Sequence, residues 1–254
     1  NNNEKEKIMA QVERKDLEDG IAVLSLNRPE ALNALSPSLF AELRAHIDSI
    51  AADTGNIGCV ILRGEGRSFS AGNDLKAIQA GERPPDKYFQ AQTLETIERL
   101  PHPVIAAVQG HCYTGSLELA LACDLMITAT SAKLADTHGK WGMAPTWGMS
   151  QRLPRRIGLV KAKEMMFSGR IVSGAEAVTL GIANRCVPDE ELREAAIAMA
   201  MSFTQNSWHT LRADKTLINM GQNSLLDQGL KNEREDSPGT APDMAERIAA
   251  GFKK

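Results

Sequence analysis

Hydrophobic residues lie along this chain in short continuous runs separated by longer stretches with helical spacing. The runs are rich in β-branched and other apolar residues, and they predict buried strands over 21–26, 59–62, 104–108 and 125–129. Ser36 followed by Pro37 predicts the start of the first long helix. A Gly- and Pro-containing loop over 81–85 precedes a predicted helix over 86–100. This alternation of strands and helices predicts an α/β fold.

From Pro188 onward the pattern becomes helical, which divides the chain into 1–187 and a C-terminal helical region over 188–254. Two apolar faces predict two or three packed helices. The first face consists of Leu192, Ala195, Ala196, Met199 and Phe203, and the second consists of Leu211, Ile218 and Leu225. The segment 237–242 contains Pro and Gly and predicts the link before the last helix.

Composition narrows the classes of protein that fit this pattern. The chain has 254 residues with 43% hydrophobic content, enough for a sizeable core. A net charge of -3, no basic block and 4% aromatic residues argue against nucleic-acid binding. No apolar run is long enough to cross a bilayer, and the N-terminal residues are polar, so no membrane partner and a cytoplasmic location are expected. Four cysteines without CxxC spacing are expected to be reduced core residues.

Two glycine-containing turns carry the candidate chemistry. The first, Ser70-Ala71-Gly72, follows an apolar strand, and its small residues leave the N–H of Ala71 open to a ligand oxygen. In the second, Gly115 begins an apolar helix, and Glu118 lies one turn later on the same face. Two N–H donors beside a carboxylate predict an oxyanion hole with a base.

At these residues the chain resembles the crotonase superfamily, the enoyl-CoA hydratase/isomerase family. Members carry an aromatic-x-Ala-Gly-x-Asp-Leu/Ile motif, here from Phe69 to Leu75, followed by a glycine-rich turn and a glutamate. Further ordered matches begin at Asn27, Cys123, Ser150, Ser168 and Ala175, so the resemblance extends from about Gly20 to the C-terminus. The resemblance implies a crotonase-like spiral of β-β-α repeats with a C-terminal helical trimerisation region, and a homotrimer or homohexamer whose last helix helps to cover the site.

The resemblance also implies thioester chemistry. The N–H groups of Ala71 and Gly115 are expected to bind the thioester oxygen of an acyl-CoA, and Glu118 takes the position of the first of two catalytic glutamates. The second glutamate position falls on His138, and Asp136 is a nearby alternative. An imidazole can exchange protons near neutral pH, although its reach differs from that of a carboxylate. No metal or other cofactor is expected, because coenzyme A is part of the substrate.

The substrate is expected to lie along both turns and the stretch after His138. CoA should be held mainly by backbone near 28–32 and 70–75, with a phosphate near Lys76 or Lys253, while bulky residues after His138 suggest a small acyl group. The predicted substrate-binding residues are Arg28, Ala31, Leu32, Ser70, Asn73, Asp74, Leu75, Tyr113, Thr114, Trp141 and Pro145.

The sequence thus predicts an enoyl-CoA hydratase that adds water to a 2-enoyl-CoA, and it leaves alternatives open. If His138 only packs the turn, Glu118 works alone or the protein runs another crotonase reaction, such as double-bond isomerisation or hydrolysis of a CoA ester or a carbon–carbon bond. Glu118 alone can also be a structural ion-pair partner. A non-catalytic acyl-CoA-binding protein is the alternative from outside the enzymes.

Overall fold

Strands and helices alternate through a computed structural model that describes residues 10–251. Its strands are β1 (Val12–Leu17), β2 (Ile21–Leu26), β3 (Cys59–Gly64), β4 (Val104–Val108), β5 (His111–Tyr113), β6 (Leu125–Ala129), β7 (Lys133–Ala135), β8 (Val172–Ser173) and β9 (Arg185–Val187). Its α-helices are α1 (Pro37–Ala51), α2 (Leu75–Gln79), α3 (Phe89–Glu98), α4 (Gly115–Ala122), α5 (Met149–Ile157), α6 (Leu159–Ser168), α7 (Gly174–Leu180), α8 (Leu192–Thr204), α9 (Trp208–Gly221), α10 (Leu226–Asp236) and α11 (Met244–Gly251).

The strands form two sheets. The larger sheet has the order β1-β2-β3-β4-β6-β9, in which β1 and β2 pair antiparallel and every later pair is parallel. The smaller sheet has the order β5-β7-β8, with β5 and β7 parallel. Because β5 follows directly after β4, and β7 directly after β6, the chain passes twice from the large sheet to the small one.

Both faces of the large sheet are buried, which explains why its strands are continuous apolar runs. In β3, Val60 and Leu62 point into the main core, whereas Cys59 and Ile61 point into a second core on the opposite face. Helix α8 packs on that second face through residues such as Ala196. Alternate residues of one strand therefore serve two separate cores.

Helix α4 lies entirely inside the protein, because all eight of its residues are buried. It packs against α3 and α5, and it is apolar on every side except at Ser116 and Glu118. A carboxylate in such a helix is costly unless it is hydrogen-bonded or used. The position of Glu118 therefore needs a structural or chemical reason.

Most of the predicted elements are confirmed. The strands over 21–26, 104–108 and 125–129 have the predicted ends, and β3 is two residues longer than predicted. Ser36 caps α1 by accepting from the N–H of Leu39, with Pro37 in the first turn. The predicted helix over 86–100 is shorter, because α3 begins at Phe89 and ends at Glu98.

The prediction for the C-terminal region is partly wrong. Four helices, α8 to α11, follow β9 in the described part of the chain, where two or three were predicted. The first apolar face does pack on the second core, but Ile218 is 64% exposed and Leu225, which precedes α10, is 84% exposed. Arg247 of α11 donates to the carbonyl oxygens of Gln205 and Asn206, so this helix contacts the turn between α8 and α9.

Candidate active site

Glu118 is held at one oxygen and open at the other. The side chain is 2% exposed. Its Oε1 accepts hydrogen bonds from the N–H groups of Trp147 and Met149 at 3.0 and 2.9 Å. Its Oε2 lies 3.9 Å from Nε2 of His138 and accepts no hydrogen bond from the described residues. The carboxylate is thus fixed in orientation while one oxygen remains available.

His138 begins a 3₁₀ turn, His138–Trp141, that follows β7. Its Nδ1 lies 2.6 Å from Oδ1 of Asp136, and its backbone N–H donates to the same oxygen at 3.1 Å. Asp136 is 1% exposed and His138 is 8% exposed. The imidazole therefore lies between two buried carboxylates, in direct contact with Asp136 and across a short gap from Glu118.

This arrangement changes how readily both groups of the pair hold a proton. Burial raises the pKa of Glu118, although the two amide donors and the charge of His138 oppose the shift. Burial alone would lower the pKa of His138, but the hydrogen bond and charge of Asp136, together with the charge of Glu118, raise it. Both groups thus favour their protonated form more than they do in water, which is the property expected of groups that pass a proton between them.

Gly115 supplies a backbone donor beside this pair. It is the first residue of α4, and its N–H has no hydrogen-bond partner among the described residues. A Cβ at this position would lie 2.5 Å from Cζ3 of Trp147, so a side chain cannot be added without moving that ring. Glu118 follows one turn later, as predicted, and its carboxylate therefore lies near a free N–H at the positive end of the helix.

The residue before Gly115 has an unusual backbone. Thr114 has φ 53° and ψ -109°, a conformation that is strained for a β-branched residue. The N–H of Thr114 donates to the carbonyl of Ala135. The hydroxyl of Thr114 lies 2.5 Å from the hydroxyl of Thr137 and also accepts from the N–H of Thr137. These contacts tie the Gly115 turn to the segment that carries Asp136 and His138.

The predicted partner donor, Ala71, is corrected by the structure. Its N–H donates to the carbonyl oxygen of Leu32 at 2.9 Å, so this group is already used inside the chain. Leu32 has a left-handed backbone with φ 50°, which turns its carbonyl toward the first motif. The sequence pattern gave no indication of this contact, because it joins residues 39 positions apart.

Asn73, two residues on, offers the N–H that Ala71 does not. The N–H of Leu35 donates to the carbonyl of Gly72, and the carbonyl of Leu35 accepts from the N–H of Asp74. In this parallel bridge the N–H of Asn73 points away from Leu35. That N–H has no hydrogen-bond partner among residues 10–251. Gly72 has φ +101°, and a Cβ there would lie 3.9 Å from the backbone nitrogen of Gly115, so the two turns approach closely.

Several predicted binding residues are used to build the first turn. Arg28 donates through one guanidinium nitrogen to Asp74 and to the carbonyl of Ala34, each at 2.8 Å. Asp74 also caps α2 by accepting from the N–H of Ala77, and both interactions help to keep its pKa low. Ser70 is fully buried, and its hydroxyl accepts from the N–H of Gly72. Their side chains therefore support the turn rather than reach for a ligand.

The other predicted binding residues lie around the turns with varied exposure. Ala31 and Leu32 are half-buried in a tight turn after Arg28, and Leu75 is 42% exposed at the start of α2. Tyr113 is half-buried, with its ring edge-on to His111. Lys76 is exposed, and Lys253 lies outside the described residues.

The tryptophan that reaches the site is Trp147, whereas the prediction selected Trp141. Trp141 is 66% exposed, and Pro145 is half-buried. The ring of Trp147 packs against the Gly115 position and meets Phe40 edge-on with 5.2 Å between ring centres, and the backbone N–H of Trp147 donates to Glu118. Sequence alone favoured a core role for this residue, and no local signal separated it from the neighbouring bulky residues.

Large cavities occur elsewhere in the described chain. One of about 670 Å³ lies between the large sheet and α8, and one of about 660 Å³ lies between α9 and the end of α4. Neither is lined by Glu118 or His138. The candidate site is thus identified by its chemistry rather than by an enclosed volume. In residues 10–251, no helix combines the length and apolar character needed to span a membrane.

Comparison with known proteins identifies the family of the chain. The sequence model of the enoyl-CoA hydratase/isomerase family matches residues 16–238. The chain is 34% identical over 216 residues to a probable peroxisomal enoyl-CoA hydratase of Arabidopsis thaliana, covering 85% of this chain and 81% of that protein. It is 40% identical over 196 residues to a probable enoyl-CoA hydratase of Bacillus subtilis, covering 75% of each.

The fold of the chain is also similar to that of a solved structure. The crystal structure of an enoyl-CoA hydratase from Bacillus anthracis is similar with a TM-score of 0.90 and 34% identity, covering 96% of each chain. The predicted α/β fold of crotonase type, with its C-terminal helices, is therefore confirmed.

Proposed function

The chain belongs to the enoyl-CoA hydratase/isomerase family, and from that membership and the geometry around Glu118 we propose that it hydrates a 2-enoyl-CoA to a 3-hydroxyacyl-CoA. One observation carries the proposal. Oε2 of Glu118 is unpartnered among the described residues and faces Nε2 of His138 at 3.9 Å, one helical turn from the free N–H of Gly115. A base, an acid and an oxyanion donor therefore lie together.

In the proposed reaction, the thioester oxygen accepts hydrogen bonds from the N–H groups of Asn73 and Gly115. Oε2 of Glu118 takes a proton from water as the water oxygen bonds to C3. The π electrons of the C2–C3 bond move into the thioester as an enolate, which the two N–H donors stabilise. Protonated Nε2 of His138 then delivers a proton to C2.

The proton balance closes within the same pair. After one turnover Glu118 holds the proton taken from water, and His138 has lost the one given to C2. Return of that proton across the 3.9 Å gap restores the starting state. The raised pKa of Glu118 favours its uptake of a proton, and the raised pKa of His138 favours the protonated ring that the proposal uses as the acid. Coenzyme A enters as part of the substrate, and the proposed steps use no separate cofactor.

The proposal is tested with crotonyl-CoA, by following the loss of enoyl-thioester absorbance and identifying the product. We expect turnover by the wild-type protein and strong losses in Glu118→Gln and His138→Gln, assayed separately. Binding of butyryl-CoA, a saturated analogue that cannot be hydrated, should be retained in both variants. Butyryl-CoA binding without turnover of any short 2-enoyl-CoA by the wild-type protein would reject the hydratase proposal and favour a binding function.

Hydrolysis of a CoA thioester is the second candidate, and the contact between Asp136 and His138 favours it. An imidazole held by a carboxylate is also a suitable base for water that attacks a carbonyl carbon. Release of free CoA thiol, measured with a thiol reagent alongside the absorbance assay, separates the two reactions. Hydration leaves the thioester intact, whereas hydrolysis releases one thiol for each substrate consumed.

We also propose that the protein is a homotrimer or a pair of trimers. The support is a set of apolar side chains exposed in the single chain: Val160 and Phe167 of α6 are each 82% exposed, and Leu225 and Leu226 at the start of α10 are 84% and 76% exposed. Exposed apolar residues in this number are typical of a protein interface. Light scattering should give the mass of three or six chains, and Phe167→Glu should reduce it. The cytoplasmic location stays a prediction that fractionation can test.

A further inference from the structure

The contact between Asp136 and His138 fixes which ring nitrogen carries a proton. Oδ1 of Asp136 accepts the backbone N–H of His138, a group that can only donate. The same oxygen lies 2.6 Å from Nδ1, a distance that requires a hydrogen between the two atoms. Because Oδ1 already acts as an acceptor, the simplest arrangement is that Nδ1 carries the hydrogen and donates it.

We propose that Asp136 is a positioning residue, which holds the proton of His138 on Nδ1 and thereby leaves Nε2, which faces Glu118, as the only ring nitrogen that exchanges protons with substrate. This inference rests on the proposed function for its catalytic meaning. It assigns Asp136 no contact with substrate, since its Oδ1 is engaged by the backbone N–H and Nδ1 of His138, whereas Nε2 is the ring nitrogen that faces Glu118. The alternative role as a substitute catalytic carboxylate is thereby set aside.

The charged groups around His138 determine the expected pH effect. Asp136 from the same segment and Glu118 from α4 face the ring, and both favour its protonated form. Helix α6 packs against the same turn, but its charged residues, Lys161, Lys163 and Glu164, are exposed to solvent. Removal of the Asp136 charge should make His138 lose its proton at lower pH. Because the proposed acid is the protonated ring, Asp136→Asn should lose more activity at pH 8 than at pH 6.

The first arm of the test is independent of turnover. Side-chain nitrogen–proton correlation spectra of protein labelled at its five histidines report which ring nitrogen is protonated, and His138→Gln identifies the signal. At a pH at which the ring is neutral, we expect the Nδ1–H form in the wild-type protein and loss of that preference in Asp136→Asn. A wild-type His138 with its hydrogen on Nε2 alone would overturn the proposal, and this result needs no variant of Asp136 to fold.

The second arm compares pH–rate profiles of the wild-type protein and Asp136→Asn with crotonyl-CoA. We expect the alkaline limb to move to lower pH, with a loss in kcat of about 100-fold at pH 8 and about 10-fold at pH 6. A loss that is equal at every pH would contradict a positioning role. Asp124→Asn is the matched control, because it removes a half-buried carboxylate away from the site and should leave both the His138 spectrum and the shape of the profile unchanged.

Failure of the hydratase proposal can be told apart from failure of this one. If no enoyl-CoA is hydrated but His138 carries Nδ1–H only while Asp136 is present, the positioning role stands and the reaction is a different one. If crotonyl-CoA is hydrated and neither the spectrum nor the profile responds to Asp136→Asn, the reaction stands and Asp136 has no positioning role.

Discussion

Two carboxylates lie near opposite ends of α4, a buried one at Glu118 and a half-buried one at Asp124. Glu118 lies in the first turn of the helix, and Asp124 lies two residues beyond its end. Each directs one oxygen at two donors, and burial raises the pKa of both. In Asp124 these donors are the N–H of Val104 and Nζ of Lys215, each at 2.7 Å. A neighbouring ammonium thus neutralises Asp124 by direct contact.

The two carboxylates differ in the cationic side chain that each one faces. Lys215 is itself buried and donates a second hydrogen bond to the carbonyl of His102 at 2.9 Å, so the pair is closed. Glu118 has no cation in hydrogen-bond contact, because Nε2 of His138 stops at 3.9 Å. A buried carboxylate with a permanent, contacting cation stabilises the fold locally, whereas one with a titratable partner at a distance can change its charge. The same side-chain chemistry therefore serves structure at one end of the helix and, we propose, catalysis at the other.

The largest expected effect comes from replacing the reactive carboxylate. Glu118→Gln keeps an oxygen for the two amide donors and removes the base. We expect kcat to fall about 1000-fold, equivalent to about 4 kcal/mol of barrier, with butyryl-CoA affinity changed less than about two-fold. Asp124→Asn is the control and should retain at least about half of the wild-type kcat. Equal kcat losses in both variants would remove the distinction between the two carboxylates.

Breaking the structural pair should affect stability instead. Lys215→Met leaves Asp124 without its cation, and we expect the free energy of unfolding to fall by about 3 kcal/mol in urea titrations while kcat changes less than about two-fold. Lys231→Met is the matched control, since Lys231 pairs with Glu235 on the surface and should contribute less than about 0.5 kcal/mol. If both variants are equally stable, the Asp124–Lys215 pair is not what holds α9 to the end of α4.

A third prediction concerns the pH dependence of stability. The pKa of Glu118 is raised in the folded protein, so its ionised form opposes folding above that pKa, and this cost disappears as pH falls toward the unfolded value of about 4.3. Glu118→Gln should therefore stabilise the protein by about 1 kcal/mol at pH 8 and by progressively less toward pH 4.5. Thermal unfolding across this range measures the effect. A difference that is constant across this pH range would show that burial does not perturb the pKa of Glu118.

Local patterns in the sequence were sufficient for most of the fold and for part of the site. Continuous apolar runs predicted the parallel strands because both faces of that sheet are buried, and the helix that starts at Gly115 with Glu118 one turn later needed no distant information. The position of His138 near Glu118 was expected from the resemblance, and the structure brings the two within 3.9 Å. Its contact with Asp136 follows from a separation of two residues.

Distant contacts account for what the sequence could not provide. Ala71 and Asn73 look equally open in the motif, and only pairing with Leu32 and Leu35 decides which N–H is free. Helical spacing grouped Leu225 with Leu211 and Ile218 on one apolar face, although α9 ends before Leu225 and leaves it exposed. The free N–H is decided by partners far along the chain, and the exposure of Leu225 is decided by where α9 ends.

The smallest expected effect tests the link between the two sides of the site. Thr137→Val removes the hydroxyl that lies 2.5 Å from that of Thr114 while keeping a β-branched shape. We expect a stability loss of about 1 kcal/mol, because the hydrogen bond to the Thr114 hydroxyl is lost. Since the next peptide carries the N–H of Gly115, we also expect kcat to fall about three-fold. Thr96→Val is the control, as its hydroxyl bonds only within α3 and should change neither quantity beyond about 0.5 kcal/mol or two-fold. A Thr137→Val variant that loses stability with an unchanged kcat would show that the contact supports the fold alone and does not align Gly115 with His138.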